Sequence, residues 1–475
     1  MEYDRNYVMT IGGKRVEARP AIDVINPANE TVIASVPDCS REQLDLAVAA
    51  ARAAFPAWRA QPIDARKALV RQIGAVLAAH AGDLARLLTS EQGKPIQDAE
   101  MEIAAAVYWC DGTASLDLPV HVNEDTPERR SVTQHVSLGV VGGIVPWNFP
   151  ILLAIFKIAP ALIAGNTMVI KPSPFTPLSL MKLGELLLDV LPAGVLNIVV
   201  GGDEVGPWMT EHPEIDKITF TGSTATGRRV MASASANLKR MTLELGGNDA
   251  AIVLPDINIE EMAERLFWAA FANNGQICIA TKRMFVHKDI YDAVRDALVA
   301  YARTVKVGDG AEQGTQIGPI QNHIQFTRVK ALIADAHAKG LVFAVGGEVP
   351  EGKGYFVPIS IVDNPPQDSR VVCEEAFGPV LPLIKFDDLD QVIRDANASE
   401  YGLAGSVWTS DLAKGEEVAA RMDTGTVWVN EVQYLSPFAS FAGHKQSGFG
   451  TENGLEGLLE YTSPRTIVVK KNPAL

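Results

Sequence analysis

Among the residues able to do covalent chemistry in this 475-residue chain, one cysteine stands apart by its surroundings. Cys278 lies in the stretch NNGQICIA, residues 273–280. That is a polar turn after an amphipathic run, where a backbone N–H beside the thiol could face a substrate oxygen and hold an oxyanion. Cys39, Cys110 and Cys373 sit in no such context and read as small hydrophobes. Four further positions follow strand-like runs. Asn148 comes after GGIVPW, Lys171 ends NTMVIK, the loop Gly222-Ser-Thr-Ala-Thr-Gly227 follows KITFT, and Glu244 closes RMTLEL. Ligands of open α/β sheets bind beyond the carboxyl ends of the strands, so all four converge on one crevice if their strands share a sheet. The glycine loop opens a helix, where free N–H groups favour a phosphate, although a strand-to-helix turn needs glycine in any case. No GxGxxG fingerprint follows a strand, so a nucleotide must bind by another geometry.

The elements that must position these groups show in the periodicity. Ser40 with Gln43 forms a capping-box signature, and Leu44, Ala47, Val48, Ala51 and Phe55 then recur at helical spacing. A second helix is predicted over about 62–80, and residues 118–138, rich in Val, Thr and Arg, read as one or two exposed strands. From Gly139 strand and helix alternate, the grammar of a mainly parallel sheet covered on both faces. A second such series runs from Asn258, where Glu261 suggests another capping box, to about Asn430, with strands near 284–287, 381–385, 405–408 and 426–429. The tail 465–471 is β-rich and able to pair with 118–138 or with a neighbouring subunit. The apolar run 149–165 is interrupted by Lys157 and Pro160 and is shorter than the roughly 20 residues of a membrane span, so it reads as a buried helix.

Composition excludes several roles. With 57 acidic against 42 basic side chains the net charge is −15, which disfavours nucleic acid and anionic lipid as partners. Four scattered cysteines without a CxxC pair fit a reducing cytoplasm and no metal site, and the first ten residues carry no apolar signal segment.

Six segments carry a resemblance. PWNFP at 146–150, LELGG at 243–247, GQICIA at 275–280, EEAFGPV at 374–380, TGTVWVN at 424–430 and GHKQSG at 443–448 occur in the order and spacing of the aldehyde dehydrogenase superfamily, which the chain resembles over essentially its whole length. The resemblance implies an α/β fold with a Rossmann-like cofactor domain (1–117 and 139–246), an α/β catalytic domain (247–446) and a small β extension for oligomerisation (118–138 and 447–475). It also implies oxidation of a small-molecule aldehyde to the acid with NAD or NADP, by a homodimer or homotetramer.

The same resemblance assigns roles. Cys278 matches the nucleophile, and is then the thiol expected to alkylate first. Asn148 matches the oxyanion amide and Glu244 the general base, with a pKa expected to be raised by burial. Lys157 and Glu452 match a proton-relay pair; alternatively Lys157 snorkels and Glu452 is merely solvated. For the cofactor, Lys171 resembles the adenosine-ribose contact, Glu375 the nicotinamide-ribose contact and Phe377 a wall beside the ring. Ile144, Val145, Pro146, Trp147, Ser173, Pro174, Gly222, Ser223, Thr226 and Leu245 complete that groove. Many members read Lys-x-x-Glu where this chain reads Lys171-Pro-Ser-Pro174, which removes the carboxylate that disfavours a 2′-phosphate. Phe149, Leu152, Leu153, Phe156, Ile277 and Phe441 are expected to line the substrate tunnel, although an apolar stripe at that spacing is more often core. A tunnel so lined suits an apolar aliphatic or aromatic aldehyde. A CoA-acylating relative, a non-catalytic protein on the same fold and a cofactor-free thiol hydrolase are the competing readings. Glu244 argues against the first, the joint presence of Cys278, Asn148 and Glu244 against the second, and the lack of a histidine near Cys278 in sequence against the third.

Overall fold

Four β-rich runs that end in or lead to polar residues lie side by side in parallel, in the order Thr167–Lys171, Val140–Ile144, Lys217–Thr221 and Arg240–Glu244. In this computed structural model, which describes residues 6–471, the in-register pairs Ile144↔Lys171, Phe220↔Ile144 and Thr221↔Glu244 align their carboxyl ends. The loops bearing Asn148, Lys171, Gly222 and Glu244 therefore leave the same edge of one sheet. Residues 1–5 and 472–475, the outermost ends of the expected cofactor and oligomerisation units, lie outside the described residues.

Alternation along these strands feeds two cores. Val140, Val169 and Ile218 pack with Leu44, Ala47, Val48 and Ala51 of the helix Arg41–Arg59 on one face. Val141, Met168 and Ile170 pack with the helix Leu152–Ile163 on the other. A strand whose successive side chains point to opposite faces must be apolar throughout when both faces are covered. The sheet reaches eight strands by short edge additions: Leu196–Ile198, then the antiparallel Met9–Ile11 and Lys14–Val16, and at the other edge Gly448–Phe449 against Arg240–Glu244. Gly448 has φ 128°, and a Cβ there would lie 1.9 Å from the Leu243 carbonyl oxygen, so only glycine allows this edge to pair.

A second sheet of seven strands runs in the order Val342–Val345, Ser360–Asp363, Val380–Phe386, Arg283–His287, Ala250–Val253, Ala404–Trp408 and Thr426–Val429, parallel except at its first pair. The strand Thr462–Lys470 pairs antiparallel with Arg129–Ser137 along its full length, and Val120–Asp125 completes that three-stranded sheet. The Ser40 capping box forms, with Ser40 Oγ accepting from Gln43 N and Gln43 Oε1 from Ser40 N. The one expected at Asn258 does not: its side chain makes no cap bond, and with Asn258 and Glu261 both exposed, water can serve the first-turn N–H groups.

Asn166, fully buried, ties three of these elements together. Its Oδ1 accepts from the N–H groups of Leu138 (2.7 Å) and Gly139 (3.0 Å), and its Nδ2 donates to the carbonyls of Ala161 (3.2 Å) and Tyr461 (2.8 Å). Replacing it by Ala strands two buried N–H donors, a loss of about 3 kcal/mol. Asn166→Ala is expected to lower the thermal midpoint by about 3 °C, and a midpoint within 1 °C of native, measured by calorimetry, would contradict that role.

Candidate active site

The nucleophile candidate is aimed by a backbone turn. The helix Ile259–Phe271 gives way to three successive left-handed residues, Asn273 (φ 49°), Asn274 (φ 60°) and Gly275 (φ 71°). Asparagine tolerates that conformation better than most side chains, and Gly275 admits no Cβ, which would lie 2.4 Å from the Gly378 carbonyl oxygen. Side chains lock the turn: Asn274 Nδ2 donates to Gly318 O at 2.9 Å, and Gln321 N donates to Gln276 Oε1 at 2.9 Å. Cys278, half-buried, then lines a cavity of about 720 Å³.

Asn148 lines the same cavity and is itself buried; its Nδ2 donates to Gln276 O at 3.0 Å, which fixes the amide beside the cysteine segment and leaves its second hydrogen uncommitted. Phe149, Leu152, Leu153, Phe156 and Ile277 line the cavity as expected of the tunnel stripe. Phe441 is not among the residues that line it; it exchanges two backbone hydrogen bonds of 2.7 Å with Glu452 and shares a small buried cluster with Ile277, against which Phe149 and Cys278 also pack. Trp109, which periodicity did not single out, supplies another wall, stacked on Phe156 at 4.9 Å between ring centroids.

Glu244 is buried and neither carboxyl oxygen has a hydrogen-bond partner. Burial holds its carboxyl well above the usual range; the nearby Glu452 carboxylate adds to this and Lys157 opposes it. Lys157 does not snorkel and Glu452 is not solvated: the two are buried and paired at 2.5 Å, with Lys157 Nζ also donating to Thr221 Oγ1 (2.7 Å) and Thr219 Oγ1 (3.3 Å). Thr219 and Thr221 share one face of their strand by the period of two, a polar stripe inside a buried sheet.

Nothing in the sequence distinguishes Lys282 from a surface lysine. Its buried ammonium donates to the carbonyls of Ile277 (2.9 Å), Cys278 (2.5 Å) and Ala280 (3.3 Å) and lies 3.6 Å from Glu375 Oε1. Burial pushes the Cys278 thiol up to about 12; the Lys282 charge works against this, while Glu244, Asp249 and Glu375 reinforce it. Cys373 is exposed, so the expectation that Cys278 alkylates first turns on how readily its thiol ionises against this burial.

A second group of residues gathers at the carboxyl edge of the eight-stranded sheet. Lys171 is buried, its Nζ donates to Pro172 O at 3.3 Å, and burial pushes its ammonium down to about 8. Ser173 is buried and Pro174 half-buried beside it. Val145 N donates to Lys171 O at 3.0 Å, placing Ile144, Val145 and Pro146 along this edge. Ser223 caps the helix Thr224–Ala234 by accepting from Thr226 N at 3.3 Å, with Gly222 just ahead of the open N-terminus. Leu245 packs against Gly227, where a Cβ would come within 2.5 Å of it. Glu375 Oε1 accepts from Gly247 N at 3.1 Å, and a Cβ on Gly246 would lie 2.4 Å from its Oε2. Trp147 meets Phe377 edge to face at 5.3 Å, and Phe377 holds a left-handed φ of 46°. An ammonium and a carboxylate suited to sugar hydroxyls, a helix N-terminus suited to a phosphate and an aromatic wall fit a dinucleotide. Among the described residues no cluster of metal-ligating side chains occurs.

The aldehyde dehydrogenase family matches residues 15–467. A probable aldehyde dehydrogenase of Pseudomonas sp is 43% identical over 99% of this chain and 96% of its own. The phenylacetaldehyde dehydrogenase of Pseudomonas fluorescens is 39% identical over 97% of this chain and 95% of its own. The solved betaine aldehyde dehydrogenase of Staphylococcus aureus in complex with NAD+ superposes with a TM-score of 0.95 at 33% identity, covering 99% of this chain and 96% of that one.

The thiol state is testable without cofactor. Because the reactive thiolate fraction rises about tenfold per pH unit below the pKa, iodoacetamide labelling of Cys278 is expected to keep accelerating from pH 7 to 10 and to trail Cys373 at pH 7.5. Peptide mass spectrometry reads both, and a Cys278 rate that levels off near pH 7 would contradict the assignment of a neutral resting thiol.

Proposed function

The chain belongs to the aldehyde dehydrogenase family, and from that premise we propose that Cys278, Asn148 and Glu244 oxidise a bulky apolar aldehyde to its acid with NAD or NADP as acceptor. The observation that carries this is the meeting of a turn-mounted thiol and a buried amide in one aromatic cavity, with an unpartnered buried carboxyl electrostatically coupled to that thiol. Cys278 adds to the aldehyde carbon, forming the C–S bond, and its proton passes to Glu244. The alkoxide so formed takes the free Asn148 N–H and the Cys278 backbone N–H, donors most useful as negative charge develops. A bound nicotinamide cofactor would supply the hydride acceptor for that carbon, and Cys278 would then hold the acyl group as a thioester. Once Lys157 and Glu452 have carried that first proton from Glu244 towards solvent, Glu244 takes a proton from water, the hydroxide oxygen adds to the acyl carbon, and the Cys278 thiolate leaves and recovers the proton from Glu244. A base that water does not solvate is a stronger base, which is what burial does for Glu244.

Lys171, Ser173 and Pro174 are assigned to the adenosine side of the cofactor, Gly222, Ser223 and Thr226 to its phosphates, and Ile144 to Trp147, Leu245, Glu375 and Phe377 to the nicotinamide side. In this reading the unit of 1–117 and 139–246 holds the cofactor, 247–446 supplies the thiol, and 118–138 with 447–475 bridges subunits. Val120, Val122, Ile467 and Val469 are exposed on one face of the three-stranded sheet, a face that a second copy of the chain would cover. A cavity of about 150 Å³ accommodates a benzene ring, so about 720 Å³ walled by Phe149, Phe156 and Trp109 leaves room for a substituent well beyond one ring. No helix among the described residues is long and apolar enough to cross a membrane, and the free cysteines accord with a cytoplasmic location.

Two measurements test this reading. In Glu244→Gln the side chain keeps its size and loses its basicity, so rapid mixing is expected to give reduced cofactor approaching one equivalent per site, formed more slowly than in the native protein because Glu244 no longer accepts the thiol proton, then turnover slowed about 100-fold or more, with an acyl adduct on Cys278 visible by mass spectrometry. Native turnover by that variant, or a need for CoA in the native protein, would favour the acylating alternative. With no carboxylate at Pro174, kcat/KM for NAD+ and NADP+ is expected to differ by less than about tenfold, and Pro174→Glu to shift preference toward NAD+; a native preference for NAD+ of several hundredfold would place the discrimination elsewhere.

A further inference from the structure

We propose that the buried ion pair Lys94–Glu102 is a positioning brace for the oxyanion amide, acting on the rate of chemistry through the segment 148–152. The proposal rests on the assignment of Asn148 above. Both side chains are fully buried and meet at 2.6 Å. Neither spends all its bonding on the other. Lys94 Nζ also donates to the Asn148 carbonyl oxygen at 3.0 Å and sits 3.9 Å from the centre of the Phe149 ring. The second oxygen of Glu102 accepts from Ile151 N at 2.9 Å and Leu152 N at 3.2 Å. Those are open donors at the start of the helix Leu152–Ile163, which has no side-chain cap of its own. The pair thus grips Asn148, Phe149, Ile151 and Leu152, the residues that carry the amide and one cavity wall.

Stability alone does not account for such a pair. Desolvating both charges is costly, and apolar residues of similar volume usually serve a core as well or better. What an apolar pair would lack is directionality: hydrogen bonds from a fixed ammonium and to a fixed carboxylate set where the 148–152 backbone lies. Asn148 already commits one N–H to Gln276 O, so the other reaches a developing oxyanion only if the backbone holds it there. A misplacement of about 1 Å at such a group costs on the order of 100-fold in rate.

The test is a cycle with Asn148. Lys94→Met/Glu102→Gln removes both charges together and keeps an acceptor for the helix N-terminus. It is expected to fold, to bind NAD+ within about twofold of native by fluorescence titration, and to lose about 30-fold in kcat on an apolar aldehyde such as phenylacetaldehyde. Asn148→Ala is expected to lose about 100-fold or more. Combining all three substitutions should cost no more than about twofold beyond Asn148→Ala, because a brace has nothing left to position. Native kcat in the double variant, or a combined loss equal to the product of the two, would overturn the brace. Should the double variant fail to fold, Glu102→Gln alone, which preserves shape and the acceptor, enters the same cycle with the same criteria. A native rate in Asn148→Ala would instead bring down the oxyanion assignment, and the brace with it, which distinguishes that failure from failure of the brace alone.

Discussion

Exclusion of water from the space around Cys278 and Glu244 is the constraint that the rest of the site answers. Burial raises the thiol and the carboxyl together, which makes each a stronger base once it is ionised. It also makes every remaining charge count for more, since the local dielectric is low. The Lys282 ammonium against the Cys278 carbonyl and the Lys157–Glu452 pair are two places where the protein returns charge to this region. Both are themselves buried, and both are anchored by further polar groups, the carbonyls of Ile277 and Ala280 in one case and two threonine hydroxyls in the other.

That dry space forms because two parallel sheets bring their loops together. The eight-stranded sheet delivers Asn148, Lys171 and Glu244 from the carboxyl ends of adjacent strands. The seven-stranded sheet and its helices deliver the cysteine turn and Glu375. Direct bonds cross between the two: Asn148 Nδ2 to Gln276 O, and Gln321 Nε2 to the carbonyls of Glu91 and Phe175. The edge pairing that glycine permits at 448 brings the chain back across Glu244, and Glu452 follows four residues later. A short antiparallel addition to a parallel sheet thereby places one half of the proposed relay.

Much of this was legible in residues 139–253, where strands buried on both faces must be continuously apolar and therefore announce themselves, and where the polar residue after each marks the ligand edge. The four post-strand residues are on one edge because parallel strands leave no other arrangement. Less legible were elements held by tertiary partners. Met9–Ile11, Lys14–Val16 and Gly448–Phe449 are too short to carry a period, and they pair only because a longer strand offers its edge. Lys94, Glu102 and Lys282 look like ordinary surface charges in a sequence, since nothing local tells a buried lysine from a solvated one. Phe441 is the converse case: aromatic character is visible in the sequence, but the two backbone bonds to Glu452 that seat it in the cluster beside Ile277 are not.

The central claim is that the oxidation runs through covalent attachment to Cys278, and the most direct measurement is a single turnover of Cys278→Ala with saturating NAD+ and phenylacetaldehyde, followed by absorbance of reduced cofactor at equal concentrations of native and variant protein. The account predicts no reduction above the protein-free blank, with NAD+ binding within about threefold of native, because only the thiol has been removed from an otherwise intact cleft. Formation of one equivalent of reduced cofactor at the native rate would contradict it.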